Sequence, residues 1–554
     1  MLRTVIVLFL GSAFAASSES QQKSQDQSSA GNIPSRVSVG SNMVLVPVVV
    51  AGKHGKHIVG LTANDFELRE DGKIRKISNF EEVVADVTPV KSAAPAPGSF
   101  TNEISAAHPK KLEIILVDLL NTPFSERAEA RKGLLKFLSQ SADPDTLMAL
   151  MVLSSNQLTM VHNFSESPSV LVDAIQKLQA PVGSHDSPTL NTNGGNVNAE
   201  AKQLSTILAG EAANPELPSF GILKLHEDQA KADVSQQDQE GLMTLEAMQQ
   251  IAQYFTALPG RKSLLWASTG FRFNSVTPWM SRSSNPYDWQ HTVRMLQNAN
   301  IAVYPVDLSG VGLAGQGDLT SHGKIRMTTM GQLSDPLVAN HQTMEFAADS
   351  TGGKALYNSN NTAELLQEAR QDSAEYYMLS FYAGSKEKDG WHKLSVRVDQ
   401  EGARVRARSG YLFVRPDHVA KSSRQADELM ALASALPSTA LPLRGQWQQV
   451  ERAGDKRKAH FSVFLLPGGV AIENGQINVD FLIAAFNLKG KEVARIGQNV
   501  ERNLAADAVA QIKSEGIGYA NALSLAPGEY DVHFVVRDNL TGRLGSISTL
   551  VAVR

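Results

Sequence analysis

From Lys111 onward the apolar residues follow two alternating patterns. KLEIILVDLL (Lys111 to Leu120) is a nearly continuous apolar run, as expected of a strand buried on both faces of a parallel sheet. The next segment spaces Phe124, Ala128, Leu134, Leu135 and Leu138 for a helix, with Thr122 placed to cap it and Pro123 in its first turn. The alternation continues through TLMALMVLS and LTMVHNF (strands), SPSVLVDAIQKL and GLMTLEAMQQIAQYFTAL (helices), KSLLWAS (strand), DWQHTVRMLQNAN (helix), IAVYPVD (strand), TMEFAADS (helix) and KALYN (strand). Strands and helices alternating at these lengths predict an α/β domain with a doubly wound, mostly parallel sheet over residues 110–415. Polar insertions near 181–239 and 309–340 break the rhythm.

On either side the pattern changes to period two. Residues 37–85 read as a small β unit, and 86–109, which contains VKSAAPAPGSF, reads as a linker or covering strap. From Glu375, EYYMLSFYAG, WHKLSVRVD and ARVRARSGYLFV are strands that could extend the α/β sheet or cap it. Tyr376, Tyr377, Phe381 and Tyr382 read as core and surface of one of these strands. A connector over 416–441 leads to a predicted Ig-like β-sandwich over 442–554.

The chain is 554 residues long, enough for several domains at about 150 residues each. Arg3, the apolar run Val5 to Leu10 and the small-residue site Ala13-Phe14-Ala15 predict a signal peptide over 1–15, so the protein is expected to be exported to the periplasm or the medium. Residues 16–36, rich in Ser and Gln, are expected to be disordered. No later stretch is apolar for the ~20 residues of a membrane span. A net charge of −4 without runs of one sign gives no general attraction to nucleic acid. The absence of cysteine excludes disulfides, thiolate metal sites and a cysteine nucleophile.

Open parallel sheets bind ligands beyond the C-terminal ends of their strands, and the first α/β strand ends in Val117-Asp118-Leu119-Leu120-Asn121-Thr122. Here the chain resembles the von Willebrand factor A domain, and more closely the VWFA-related family described from Acidobacteria. The marks span roughly Val37 to Val414: GLTANDFELREDG with ISNF, VDLLNT, LPGRKSLLWASTGF, and EYYMLSFY with VRARSGY. In that fold, the resemblance implies, an Asp-x-Ser-x-Ser loop, a distant Thr and a second Asp hold Mg²⁺, which takes a carboxylate from the partner. Asp118 matches the first acid and Thr122 the second hydroxyl, while Leu120 replaces the first Ser. Thr244 is the candidate for the distant Thr, and Ser268 stands where the second Asp would be. Mg²⁺ or Mn²⁺ is therefore the candidate cofactor of a degenerate adhesion site, with Asn121 able to lend a carbonyl. The same Asp118 and Thr122 could instead cap backbone amides of the following helix, and Asp307 has the same ambiguity and reads as a rim residue.

Trp279, Tyr287 and Trp289, interleaved with Arg282 and Asn285, read as a partner-binding patch or as a loop held down by its own aromatics. His54 and His57 flank a turn without two further zinc ligands and read as solvated. His185-Asp186-Ser187 has the letters of a triad without its spatial assembly, and Gly310, Gly312 and Gly315 are followed by no helix for a pyrophosphate. The chain also lacks a G-x-S-x-G elbow, a P-loop and H-E-x-x-H. The expected function is non-enzymatic binding of a protein or glycan. The alternatives are a scaffold in an envelope assembly or a hydrolase acting through Ser268 or Asp118.

Overall fold

The computed structural model describes residues 43–53, 55–83, 99–103, 111–140, 146–154, 157–165, 167–177, 236–270, 289–310, 336–383, 388–415, 418–419 and 421–554. The predicted signal peptide, the Ser/Gln-rich stretch, Trp279, Tyr287, His54 and the His185-Asp186-Ser187 run lie outside the described residues, as does most of both insertions. The chain divides into two compact units. One comprises 43–93 with 104–438, the other 94–103 with 439–554 beside the N-terminal residues.

The first unit opens with β1 (Met43–Ala51), β2 (Phe66–Glu70), β3 (Lys73–Arg75) and β4 (Asn79–Val83). After β5 (Ser99–Thr101), which belongs to the other unit, come β6 (Lys111–Asp118), α1 (Phe124–Ser139), β7 (Thr146–Leu153), β8 (Leu158–Ser165), α2 (Pro168–Lys177) and α3 (Gln236–Phe255). Then follow β9 (Lys262–Ser268), α4 (Trp289–Asn298), β10 (Ile301–Asp307), α5 (Pro336–Thr351) and α6 (Thr362–Ser373). The unit closes with β11 (Tyr376–Tyr382), β12 (Gly390–Val398), β13 (Arg404–Ala407), β14 (Gly410–Phe413) and α7 (Lys421–Ala433).

The central sheet has the order β10-β9-β6-β7-β8. It is mixed: four strands are parallel, and β8 pairs antiparallel to β7 at the edge. The predicted last strand, KALYN, is reduced to a parallel bridge between Val306 and Leu356. The two faces of the sheet take alternate residues, as period two requires. Ile114, Leu116, Ala149 and Met151 pack with Leu245, Met248, Ile251 and Phe255 of α3 and with Val293 and Leu296 of α4. Ile115, Met148 and Leu150 pack against Leu134, Phe137 and Leu138 of α1, and on Leu365 and Leu366 of α6, a helix the periodicity reading missed.

The β strands at the two ends of this unit form one module. β1 lies between β11 and β13, β11 also pairs with β4, and β12 lies between β2 and β14. Val46, Val48, Leu68, Tyr377, Leu379 and Phe381 fill the core between the two sheets. The strands that open and close the α/β domain in sequence thus pair with each other rather than extending the α/β sheet. Tyr376, Tyr377 and Phe381 are buried and Tyr382 is exposed, as expected. His57 departs from the solvated turn: its ring stacks on Tyr377, 5.0 Å between centroids, with Glu82 Oε1 3.6 Å away.

In the second unit, β15 (Leu443–Ala453), β16 (Lys456–Leu465), β17 (Gln476–Asn487), β18 (Glu492–Asn503), α8 (Ala506–Glu515), β19 (Ile517–Leu525), β20 (Gly528–Asp538) and β21 (Leu544–Val553) form a two-sheet sandwich. The sheets have the orders β19-β16-β15-β5 and β18-β17-β20-β21. The strap thus supplies a strand. Phe100 of β5 stacks on Phe534 at 5.4 Å and fills the space left by Gly445, where a Cβ would lie 1.9 Å from the Phe100 ring. Asn102 clamps the same edge, donating from Nδ2 to Leu441 O (2.8 Å) and accepting from Leu443 N (2.7 Å). Removing a packed Phe ring costs about 3–5 kcal/mol, and the partial exposure of Phe100 places Phe100→Ala near about 3 kcal/mol. Denaturant unfolding of the full chain should show that loss, and an unchanged midpoint would remove β5 from the sandwich core.

Candidate functional site

The parallel register brings four strand ends into one row. Asp118 ends β6 beside Leu153, and Asp307 ends β10 opposite Ser268, the last residue of β9. This is the edge at which strand order reverses between β6 and its neighbours, the usual place for a crevice. Thr244 reaches it from α3. Asp118, Asn121, Thr122, Thr244 and Ser268 are therefore all brought together.

Asp118 is completely buried. An unpaired carboxylate in that position would be costly, so its partners decide what the site is. Oδ1 accepts from the Asn121 backbone N–H at 3.0 Å. Oδ2 accepts from Asn121 Nδ2 at 2.7 Å, Ser268 Oγ at 2.8 Å and Trp266 Nε1 at 3.0 Å. Burial pushes the Asp118 carboxyl above its ordinary range, and these four donors oppose it. Trp266 was not anticipated from sequence. Its signal is the spacing in Trp266-Ala267-Ser268, since residues two apart on a strand face the same side.

The hydroxyl groups are also engaged. Thr122 Oγ1 donates to Asp118 O, Thr244 Oγ1 donates to Glu240 O at 2.8 Å, and Thr269 Oγ1 donates to Asn121 O. Ser268 Oγ accepts from Gly270 N at 3.0 Å. Arg127, from the second turn of α1, donates to Leu119 O (2.7 Å) and Thr122 O (2.9 Å), holding the loop from the other side. Thr122 does not cap α1. Position 123, a proline, is the N-cap and makes no side-chain cap bond, while the Thr122 hydroxyl turns back to β6. Asp118 likewise bonds the loop at Asn121 rather than the helix amides.

This donor set does not fit a divalent cation. Oxygen ligands are needed, yet the group standing between Asp118 and Thr244 is the Asn121 amide nitrogen, 2.7 Å from Asp118 Oδ2 and 2.8 Å from Thr244 Oγ1. Beside a carboxylate the Asn121 side chain must present its N–H₂, so it lends no carbonyl to an ion. Trp266 Nε1 can only donate. Leu120, in the place of a ligating Ser, packs its side chain against the main core. Among the described residues no group of three or more His, Cys, Asp or Glu side chains could hold a metal ion.

One strand over, Asp307 is not a rim residue but 1% exposed. Its Oδ2 is 2.8 Å from His341 Nε2, and Oδ1 accepts from Ser309 N (2.9 Å) and Ser309 Oγ (2.6 Å). His341 stacks on Tyr357, 4.2 Å between centroids. At the head of α1, burial and the nearby Asp307 charge push the Glu126 carboxyl above its ordinary range. His341 lies 34 residues from Asp307, just past the stretch 309–340 read as an insertion, so only the fold pairs them. Trp289 is not available to a partner: it is 3% exposed and packs on Phe346 in the core at 5.6 Å.

No family model and no curated protein matches the chain. Among solved structures, the VWA domain of SpRpn10 is similar at 10% identity, covering 47% of this chain and 96% of that one, with a TM-score of 0.19. The VWA2 paralog of ArnB from Sulfolobus acidocaldarius is 8% identical over 93% of this chain and 76% of that one, at 0.17. Bacteroides uniformis β-glucuronidase is 11% identical over 32% of this chain and 19% of that one, at 0.14. At such scores these likenesses carry no argument, and the fold rests on strand order and register.

α3 also carries Glu246, two residues beyond Thr244. Burial raises its carboxyl from 4.5 to about 7, opposed only by a bond from Gln250 Nε2. A raised carboxyl pKa means that the folded state favours the neutral form, so this contribution to stability is complete below 4.5 and lost as pH rises through about 7. Glu246→Gln should therefore stabilise the chain above neutrality by about 3 kcal/mol and leave it little changed in acid, as read by unfolding at a series of pH values. Equal effects at both ends of the series would show that the fold does not raise the Glu246 carboxyl.

Proposed function

We propose that this chain is an exported, non-enzymatic recognition protein whose von Willebrand A-like domain presents the C-terminal edge of its parallel strands to a protein or glycan. The observation that carries this reading is where the hydroxyl protons at that edge go. Ser268 donates to Asp118 and Ser309 to Asp307, while Thr122 and Thr244 donate to backbone carbonyls. A hydroxyl nucleophile needs a base that takes its proton and is oriented by a third group. His341 is the one imidazole paired to a carboxylate at this edge among the described residues, and Ser309 bonds the carboxylate rather than the ring. The groups of a triad are present here without its connectivity.

Three further features support binding. The A-like resemblance spans most of the first unit. The polar insertions adjoin this edge in sequence, one preceding α3 and the other following β10. Glu126 places a carboxyl at the head of α1 beside it. Among the described residues no helix is long and apolar enough to cross a membrane. Export rests on the N-terminal Arg3, apolar run and Ala13-Phe14-Ala15 site.

The test is to offer the full chain purified envelope polysaccharides, peptidoglycan and envelope proteins, following both saturable binding and product formation. Binding without turnover, weakened at least tenfold by Glu126→Arg, is expected. Turnover that disappears in His341→Ala would overturn the reading in favour of a hydrolase centred on Asp307 and His341.

A further inference from the structure

The position of Asn121 bears on how the crevice meets a partner, and its role there rests on the recognition reading. The Asn121 side chain lies between the first acid and the hydroxyl of α3, and its single amide nitrogen serves both, at 2.7 Å from Asp118 Oδ2 and 2.8 Å from Thr244 Oγ1. The backbone of the same residue is tied in twice: its N–H donates to Asp118 Oδ1 and its carbonyl accepts from Thr269 Oγ1. One residue therefore joins the β6 loop, α3 and the β9 loop, which are the three elements that a cation shared by this crevice would have to join.

The geometry points to Asn121 as a built-in, uncharged substitute for a bridging cation, which makes the crevice independent of divalent metal. The chemistry is sufficient for that role. An amide N–H₂ offers two donors in a fixed plane, enough for one carboxylate oxygen and one hydroxyl. The rest of the charge on Asp118 is met by Ser268 and Trp266, and Arg127 brings a guanidinium near enough to feel the Asp118 charge. The loop after β6 is held to α3 and β9 by these hydrogen bonds to buried groups. The partner of the crevice is therefore not bound by donating a carboxylate to a metal ion.

Asn121→Asp tests this with almost no change of shape. It places a second carboxylate oxygen about where the amide nitrogen now sits, against Asp118 Oδ2, and two like charges so close disfavour each other unless a cation joins them. Thermal unfolding and calorimetric titration of the full chain with Mg²⁺ and Mn²⁺ as the probes should show no saturable binding and no shift in Tm for the unmodified protein. Asn121→Asp should unfold at lower temperature without metal and recover, saturably, as either ion is added. Should that variant fail to fold, Asn121→Ser, which vacates the bridging position, is titrated in its place, and the unmodified protein remains a complete test by itself. Saturable Mn²⁺ binding by the unmodified chain that is lost in Asp118→Asn would overturn the inference, as would a folded Asn121→Asp that ignores both ions. These outcomes are independent of whether any envelope partner binds. A chain that captures nothing but behaves as stated toward metal would sink the recognition reading alone.

Discussion

Asp118 is a carboxylate with no access to water, and the C-terminal edge of the sheet is arranged around that fact. Burial of a charged or polar group is tolerated only when its hydrogen-bonding capacity is filled. Here four donors from the β6 loop and β9 fill it. The consequence reaches outward. Satisfying Oδ2 aligns Trp266 and Ser268 on one face of β9, orients the Asn121 amide, and through that amide fixes α3 at Thr244. Loss of Asp118 would leave several buried donors without a partner, each at a cost of about 1–3 kcal/mol.

The same logic explains how the α/β domain is joined to the β module. Arg261, in the LPGRK segment before β9, is nearly buried and donates to Tyr304 Oη at 3.1 Å and Gly352 O at 2.9 Å. Its guanidinium lies 5.2 Å from the Tyr376 ring centroid, and the Tyr376 hydroxyl is 3.3 Å from the Arg261 backbone nitrogen. Lys262 follows it with Nζ on Leu258 O and Gly260 O, closing the C-terminal end of α3. Arg370 and Glu113 make a buried two-bond pair between α6 and β6, at 2.6 and 2.8 Å. Pairs of this kind add little net stability but are costly to break singly, so they select one packing over others. Arg261, Lys262 and Arg370 are thus internal fasteners of the first unit.

Much of the architecture was legible from periodicity. The continuous apolar runs at Lys111, Lys262 and Ile301, and the helical spacing of α1, α3 and α4, led to an α/β layer structure with the crevice at the end of β6. The sandwich followed from its alternating strands, although α8 did not. Asp118, Asn121, Thr122, Thr244 and Ser268, singled out in the sequence at strand ends and by a resemblance, lie together in the fold. Trp266 and the pairing of Asp307 with His341 were not legible, since a core tryptophan and a histidine in a polar stretch look the same whether or not they bond a carboxylate.

What the sequence determined by itself was local: which segments alternate with period two or 3.6, where the parallel strands end, and which residue types stand at those ends. These follow from side-chain spacing, which needs no knowledge of distant contacts. Tertiary structure alone decided that residues 43–83 pair with 376–413, that β5 completes a sandwich more than 300 residues away, and that Asn121 turns its nitrogen rather than its oxygen toward Asp118. The physical reason is common to all three. Strand edges, core vacancies such as that at Gly445, and a buried carboxylate each demand a partner, but the demand names only a chemistry, and many positions in the chain could answer it until the fold brings one of them within reach.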